Sequence, residues 1–291
     1  MQNLRFLNFF TLLQIITTRV KMQQIAVDLK AQGKSLGFVP TMGALHNGHL
    51  SLISRSIAEN DVTVCSIFVN PTQFNDPADL DKYPRPIEAD IEKLKSANCD
   101  YLFLPSVDEM YTKGETWHLE LGYLETILEG AFRPGHYQGV TQIVKKLFDI
   151  VQPTRAYFGQ KDYQQIMVIL KMVEMFNIPV TIIRCPTVRE EEGLAMSSRN
   201  VHLKEKEPQT ALKLSEALAF IKSKTGKGSL PEVLKEAKDL INEAQIGLEY
   251  LVITDGATLK EISEWGQSAE PVALIAAKVG NTRLIDNMVL V

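Results

Sequence analysis

Leu36-Gly37-Phe38-Val39-Pro40-Thr41-Met42-Gly43-Ala44-Leu45-His46-Asn47-Gly48-His49-Leu50 changes character twice. An apolar run closes at Pro40 and a turn of small residues follows. From Leu50 the apolar residues Leu50, Ile53, Ile57 and Ala58 return at helical spacing. The pattern predicts strand, turn, helix. Such a junction aims the free backbone N–H groups of the helix's first turn, and the positive end of its dipole, into the turn, which suits a phosphate. His46 and His49 are three residues apart, so both imidazoles fall on one side of the helix mouth. Gly43 and Gly48 let a ligand approach the backbone closely. A ring N–H from each histidine is then placed to stabilise charge growing on a phosphate oxygen. H-x-G-H also reads as two surface histidines flanking a glycine. Its place behind a strand favours the functional alternative, because open α/β sheets bind ligands at the carboxyl ends of their strands. A zinc site is the weaker rival: the i, i+4 spacing and the glutamate of a helical zinc motif are missing, and no cysteine is near.

Working outward, residues 13–17 are expected as a first strand and 19–32 as a helix ended by Gly33. Gly33-Lys34-Ser35 imitates the tail of a phosphate-binding P-loop but lacks its earlier glycine, Asp28 standing there instead. Residues 61–69 are rich in β-branched side chains and read as a buried parallel strand. They stop at Asn70-Pro71-Thr72-Gln73-Phe74, a second polar loop on the histidines' edge of the sheet. A helix over 86–98 and a strand over 101–104 follow. Residues 125–139, crowded by Gly130, Arg133-Pro134-Gly135-His136 and Gly139, are expected as loop, with a helix over 141–151. Strand 156–158, turn Gly159-Gln160-Lys161-Asp162, helix 163–176 and strand 178–184 complete the alternation. Alternating strands and helices imply a parallel sheet covered on both faces. Beyond Pro186 comes a polar loop, 187–200, then helices over 205–223 and 231–244 and strands over 248–253, 272–279 and 284–291, the pattern of a small α+β domain. The expected division is an N-terminal extension of poor order over 1–12, a nucleotide- and substrate-binding domain over 13–186, and a C-terminal α+β lid over 187–291.

With 291 residues, 45% of them hydrophobic and 23% charged, the chain has the composition of a soluble globular protein with room for two cores. A net charge of −4 without a basic block argues against a nucleic-acid partner. Arg5 followed by the apolar run from Phe6 to Ile16 imitates a secretory signal, but Asn8, Thr11 and Gln14 interrupt it and no small-residue cleavage site follows. Neither export nor membrane insertion is expected, since a run of about 11 residues is too short to span a bilayer. Cys65, Cys99 and Cys185 are odd in number and far apart, which suits buried thiols in a reducing cytoplasm rather than disulfides or zinc.

In a doubly wound sheet, His46 and His49, Gln73, Lys161 and Ser197-Ser198-Arg199 would meet at one rim. That inventory of imidazoles, cations and hydroxyls suits a polyphosphate. Singly, each has a bland alternative: a solvated lysine, a serine-rich loop, amides on a loop and a helix surface. Their conjunction, in order, resembles the pantothenate synthetase (pantoate–β-alanine ligase) family from about Leu13 to Val291. The matching segments are Val39 to His49, Phe68-Val69-Asn70-Pro71-Thr72-Gln73-Phe74, Arg133-Pro134-Gly135-His136, Tyr157 to Gln165, and Arg189 to Asn200 with Met196-Ser197-Ser198-Arg199. Glu192, where the family often has aspartate, and Val201-His202 are small departures.

The resemblance implies a Rossmann-like α/β fold of the HxGH nucleotidyltransferases with a smaller C-terminal lid, acting as a homodimer. It implies an Mg²⁺- and ATP-dependent condensation of (R)-pantoate with β-alanine to give pantothenate, AMP and diphosphate through a pantoyl adenylate. By the same carry-over, Met42, Gly43, Ala44, Leu45, His46, Asn47, Gly48, His49, Gly159, Gln160, Lys161, Asp162, Val188, Met196, Ser197, Ser198 and Arg199 hold ATP. Gln73 and Gln165 hold pantoate, Gln73 also β-alanine; His49, His46 and Lys161 are catalytic, with His49 the proton donor. No dedicated metal ligands are expected, Mg²⁺ riding on phosphate oxygens and water. Two alternatives stay open: an HxGH nucleotidyltransferase acting on a phosphate ester, and a non-catalytic nucleotide sensor.

Overall fold

The computed structural model describes residues 12–243 and 246–291; the expected extension 1–12, apart from Leu12, lies outside the described residues. In chain order the first part contains β1 (Gln14–Ile16), α1 (Arg19–Ala31), β2 (Leu36–Thr41), α2 (Asn47–Glu59), β3 (Val62–Ile67), α3 (Pro77–Lys82), α4 (Ile87–Ser96) and β4 (Tyr101–Phe103). Three short helices follow, α5 (Val107–Met110), α6 (Tyr123–Thr126) and α7 (Leu128–Phe132), then α8 (His136–Val151), β5 (Arg155–Gly159), α9 (Tyr163–Met175) and β6 (Thr181–Cys185). The remainder holds α10 (Glu207–Ser223), α11 (Leu230–Glu243), β7 (Gly247–Asp255), β8 (Pro271–Val279) and β9 (Thr282–Val289).

Strands β1 to β6 form one parallel sheet in the order β1-β4-β3-β2-β5-β6. Side chains alternate across it. Phe38 and Val64 join a core with Met22 of α1, Phe148 of α8 and Ile169 of α9, whereas Val39 and Cys65 join the opposite core with Ile53 of α2 and Leu94 of α4. Both faces are therefore apolar, which is why these strands read as near-continuous hydrophobic runs. The chain steps one way from β2 to β3 and β4, and the other way to β5 and β6. The order thus reverses between β2 and β5, the switch point where sheets of this kind open a crevice beyond their carboxyl ends.

Strands β7, β8 and β9 make a separate antiparallel sheet. Its core with α10 and α11 includes Leu218, Ile221, Ala237, Ile253 and Ile275. A third contact joins the two sheets' surroundings: Tyr163 of α9 packs with Leu259, Val272 and Leu274, flanked by Leu124 and Leu128.

Three expectations are corrected. Helix α2 begins at Asn47 rather than Leu50, because His46 caps it. Strand β2 runs through Pro40 to Thr41; its pairing with β5 has ended at Phe38, so the missing proline N–H leaves no gap on that side. Helix α8 begins at His136, not 141, and α6 and α7 occupy the stretch expected as loop. Gly139 lies inside α8 because the helix presses on the Gln73 loop there, and a Cβ would run into the Thr72 carbonyl.

Candidate active site

The turn after β2 is held from beneath. Gly43 (φ +83°) and Ala44 (φ +49°) take left-handed backbone, and the N–H groups of Ala44 and Leu45 donate to Asp90 Oδ2 (2.7 Å) and Oδ1 (2.8 Å). Asp90, in the first turn of α4, is fully buried, and Lys93 one turn on lies 3.8 Å from it while donating to the Leu45 carbonyl. One carboxylate thus satisfies two backbone donors that a left-handed turn exposes.

The histidines come next. His46 caps α2, its Nδ1 accepting from Gly48 N–H (3.1 Å), and His49 Nδ1 accepts in return from His46 N–H (3.3 Å). This is a capping box built from two imidazoles. A ring nitrogen that accepts carries no proton, so each neutral ring bears its proton on Nε2. The ring centroids are 4.1 Å apart. A Cβ at Gly48 would come within 2.8 Å of the His46 ring, which accounts for the glycine between the histidines. The His46 pKa is lowered to about 4, chiefly by enclosure and then by the Lys161 and Lys93 ammonium groups. That of His49 is lowered to about 3, chiefly by enclosure and then by His46 and Lys161. Both rings are neutral near pH 7.

On the β3 side, a single 3-10 turn, Pro71–Gln73, presents Gln73. Asn70 Nδ2 donates to Gln73 Oε1 (3.2 Å) and to the Gly139 carbonyl (3.1 Å), and Gln73 Nε2 faces Met42 Sδ at 2.9 Å. Beyond β5, the turn Gln160–Asp162 carries Lys161. The side-chain amide of Asn287 on β9 donates to the carbonyls of Gln160 (2.9 Å) and Lys161 (2.8 Å), so the second sheet fixes the lysine's turn.

The loop after β6 crosses above. Its Arg189 pairs with Asp286 of β9 (2.7 Å), Ser197 caps a 3-10 turn over Ser198–His202, and Ser198 Oγ donates to the Ala44 carbonyl (3.2 Å). Arg199, read from sequence as a phosphate ligand, is paired with Asp79 of α3 at 3.2 Å.

One cleft gathers most of the residues named from sequence: Met42, His46, Gly48, His49, Gln73, Gly159, Lys161, Asp162, Gln165, Val188, Met196, Ser197, Ser198 and Arg199 line it. Gly43, Ala44, Leu45, Asn47 and Gln160 do not. The Leu45 side chain is buried in the core with Val39 and Ile53, Asn47 faces solvent, and Gln160 Nε2 reaches toward Asn287. Sequence reasoning singled out the segments of Asn70, Arg133 and His136 without giving these residues a role, and it missed Asp90 and Tyr83. Tyr83 lines the cleft, and Arg133 and His136 line it beside Gln73. Among the described residues, Asp162 is the single carboxylate that lines the cleft. Among the described residues no group of three His, Cys, Asp or Glu side chains could hold a metal ion, and no helix is long and apolar enough to cross a membrane.

Comparisons with known proteins agree. The family model described as Pantoate-beta-alanine ligase matches residues 14–289. A pantothenate synthetase of Bacteroides fragilis (strain YCH46) is 48% identical over 277 residues, covering 95% of this chain and 98% of its own length. One from Thermodesulfovibrio yellowstonii is 49% identical over 272 residues, covering 92% and 96%. The crystal structure of pantothenate synthetase from Thermus thermophilus superimposes with a TM-score of 0.90 at 40% identity, covering 96% of this chain and 99% of that one. The pantoate-beta-alanine ligase of Francisella tularensis, solved with beta-gamma ATP and beta-alanine, gives 0.80 at 37% identity, covering 96% and 98%. With a family match across nearly the whole chain, and relatives this similar end to end, the protein belongs to the pantoate-beta-alanine ligase family.

Proposed function

We propose that the cleft joins (R)-pantoate to β-alanine with consumption of ATP, giving pantothenate, AMP and diphosphate through a pantoyl adenylate. Family membership supports the overall reaction. The observation that carries the division of roles is a single cleft at the switch point, holding two neutral Nε2–H donors and Lys161 beside the amides of Gln73 and Gln165.

A free carboxylate resists an amine because its leaving group would be oxide. Gln73 and Gln165 hold pantoate by its hydroxyl and carboxylate oxygens, neutral amides leaving the carboxylate its nucleophilic charge. A carboxylate oxygen attacks the α-phosphorus and diphosphate departs. Charge that builds on the phosphate oxygens meets the Nε2–H groups of His46 and His49, the Lys161 ammonium and the hydroxyls of Ser197 and Ser198. The lowered pKa of His49 makes it a neutral hydrogen-bond donor in the resting site rather than an imidazolium acid. The β-alanine ammonium gives one proton to water, its nitrogen forms a bond to the acyl carbon as the bond from that carbon to the phosphate oxygen breaks and AMP leaves, and the second proton passes from the new amide nitrogen to water. Positioning supplies much of the rate, on the order of 7–11 kcal/mol for well-aligned partners.

Mg²⁺ fits this donor set only as an ion carried by the phosphates: it needs one or two carboxylates at most, and Asp162 is the one that the described residues offer in the cleft. When bound, it neutralises phosphate charge. Residues 187–291 act as a lid over the unit formed by 13–186, with the Met196–Arg199 stretch closing on the turn through Ser198. Closure keeps water from the adenylate. The resemblance gives a homodimer as the acting form, and three buried, unpaired cysteines suit the cytoplasm. Incubation with ATP, Mg²⁺, pantoate and β-alanine is expected to yield AMP and diphosphate. ADP and inorganic phosphate would point to an acyl phosphate and contradict the proposal.

A further inference from the structure

Arg133 and His136, at either end of the R-P-G-H segment, both line the cleft, and the adenylate-forming step proposed above gives them no part. His136 is buried, with Nδ1 2.8 Å from the Gln73 carbonyl oxygen and Nε2 3.1 Å from Arg133 Nη1. A carbonyl only accepts and a guanidinium only donates, so Nδ1 carries the proton and Nε2 the lone pair. Burial, then the charge of Arg133, lowers the His136 pKa to about 4, so the ring is neutral. His136 therefore ties the guanidinium to the backbone of Gln73.

Arg133 itself lacks an anion. Among the described residues no carboxylate lies within ion-pair distance of it, and its one side-chain hydrogen bond is the one to His136. Glu129, whose charge reaches Arg133, is already engaged: Arg283 donates to both its oxygens (2.7 Å each) and the Tyr250 hydroxyl to one (2.9 Å). Of the other cations of the cleft, Arg199 is paired with Asp79, and Lys161 stands beside the two histidines, at the phosphate end of the site, where its charge lowers their pKa values. A half-buried guanidinium with open N–H groups is costly without a partner and fits a planar carboxylate. The amine substrate brings such a group, two methylenes from its nitrogen.

We propose that Arg133 binds the carboxylate of β-alanine, held in place by His136 as a positioning residue, so that the amine is directed to the acyl group at Gln73. This role rests on the ligase activity proposed above. Such a contact would favour an amino acid over a simple amine.

The test compares wild type, Arg133→Ala and Arg133→Lys in two assays. One is the full reaction with β-alanine or its carboxylate-free analogue 3-aminopropan-1-ol; the other is pantoate-dependent ATP–diphosphate exchange without any amine. Arg133→Ala is expected to raise the KM for β-alanine roughly 10- to 100-fold, the weight of a charge-assisted pair, and by at least tenfold more than it slows exchange. The preference for β-alanine over the analogue that lacks a carboxylate should shrink by a similar factor, and Arg133→Lys should recover part of it. A KM within twofold of wild type, an unchanged preference, or an equal loss in exchange would overturn the role. Absence of exchange in the wild type would instead sink the ligase proposal itself, a separable result.

Discussion

Two imidazoles that accept backbone hydrogen bonds through Nδ1 are thereby oriented, and neither can be protonated there without breaking the cap of α2. Enclosure and neighbouring ammonium groups work the same way, holding the pKa values at about 4 and about 3. Ring NMR of the free protein is accordingly expected to show His46 and His49 neutral from pH 8 down to pH 5. His49→Ala should lower kcat by roughly 10²-fold with a much smaller change in the KM for ATP, because the donor acts on charge that exists only in the transition state. Equal losses in both would make His49 a mere binding group. The histidines were legible because their spacing and their place behind a strand are both local signals. Arg133 was visible as part of a motif, but its availability depends on Glu129 being held by Arg283, a residue 154 positions away. No local pattern carries that.

Among the elements, α4 supports the site most directly, and nothing near Asp90 in sequence announces it. Its carboxylate reaches back 46 residues to Ala44 and 45 to Leu45. Asp90→Asn keeps the shape but replaces one acceptor oxygen with a donor, leaving one buried backbone N–H without a partner. A loss of about 1–3 kcal/mol in unfolding free energy is expected, together with a lower kcat as the histidine turn loosens. Unchanged denaturant midpoint and activity would show that the turn holds itself. Strands β2, β3 and β5 and helices α1, α9 and α10 were readable from hydrophobic period, since each buries a regular face. The start of α8 was not. Its glycines signal loop by composition, whereas Gly139 is there because α8 lies against the Thr72 carbonyl. Close approach between elements looks, in one dimension, the same as flexibility.

At the scale of the whole molecule, the alternation of strands and helices revealed a parallel sheet. The placement of β5 beside β2, which creates the crevice, follows from the crossover rather than from any one segment. The second sheet is more than a cover: Asn287 fixes the Lys161 turn and Asp286 anchors the loop bearing Ser197 and Ser198. These contacts assemble, around one cleft, groups suited to transferring AMP to a carboxylate. The most direct test of that transfer uses pantoate labelled with ¹⁸O in both carboxylate oxygens, incubated with the protein, ATP, Mg²⁺ and β-alanine. Mass spectrometry of the nucleotide should find one ¹⁸O in the phosphate of AMP. Unlabelled AMP, or label recovered in inorganic phosphate, would contradict an adenylate formed in this cleft.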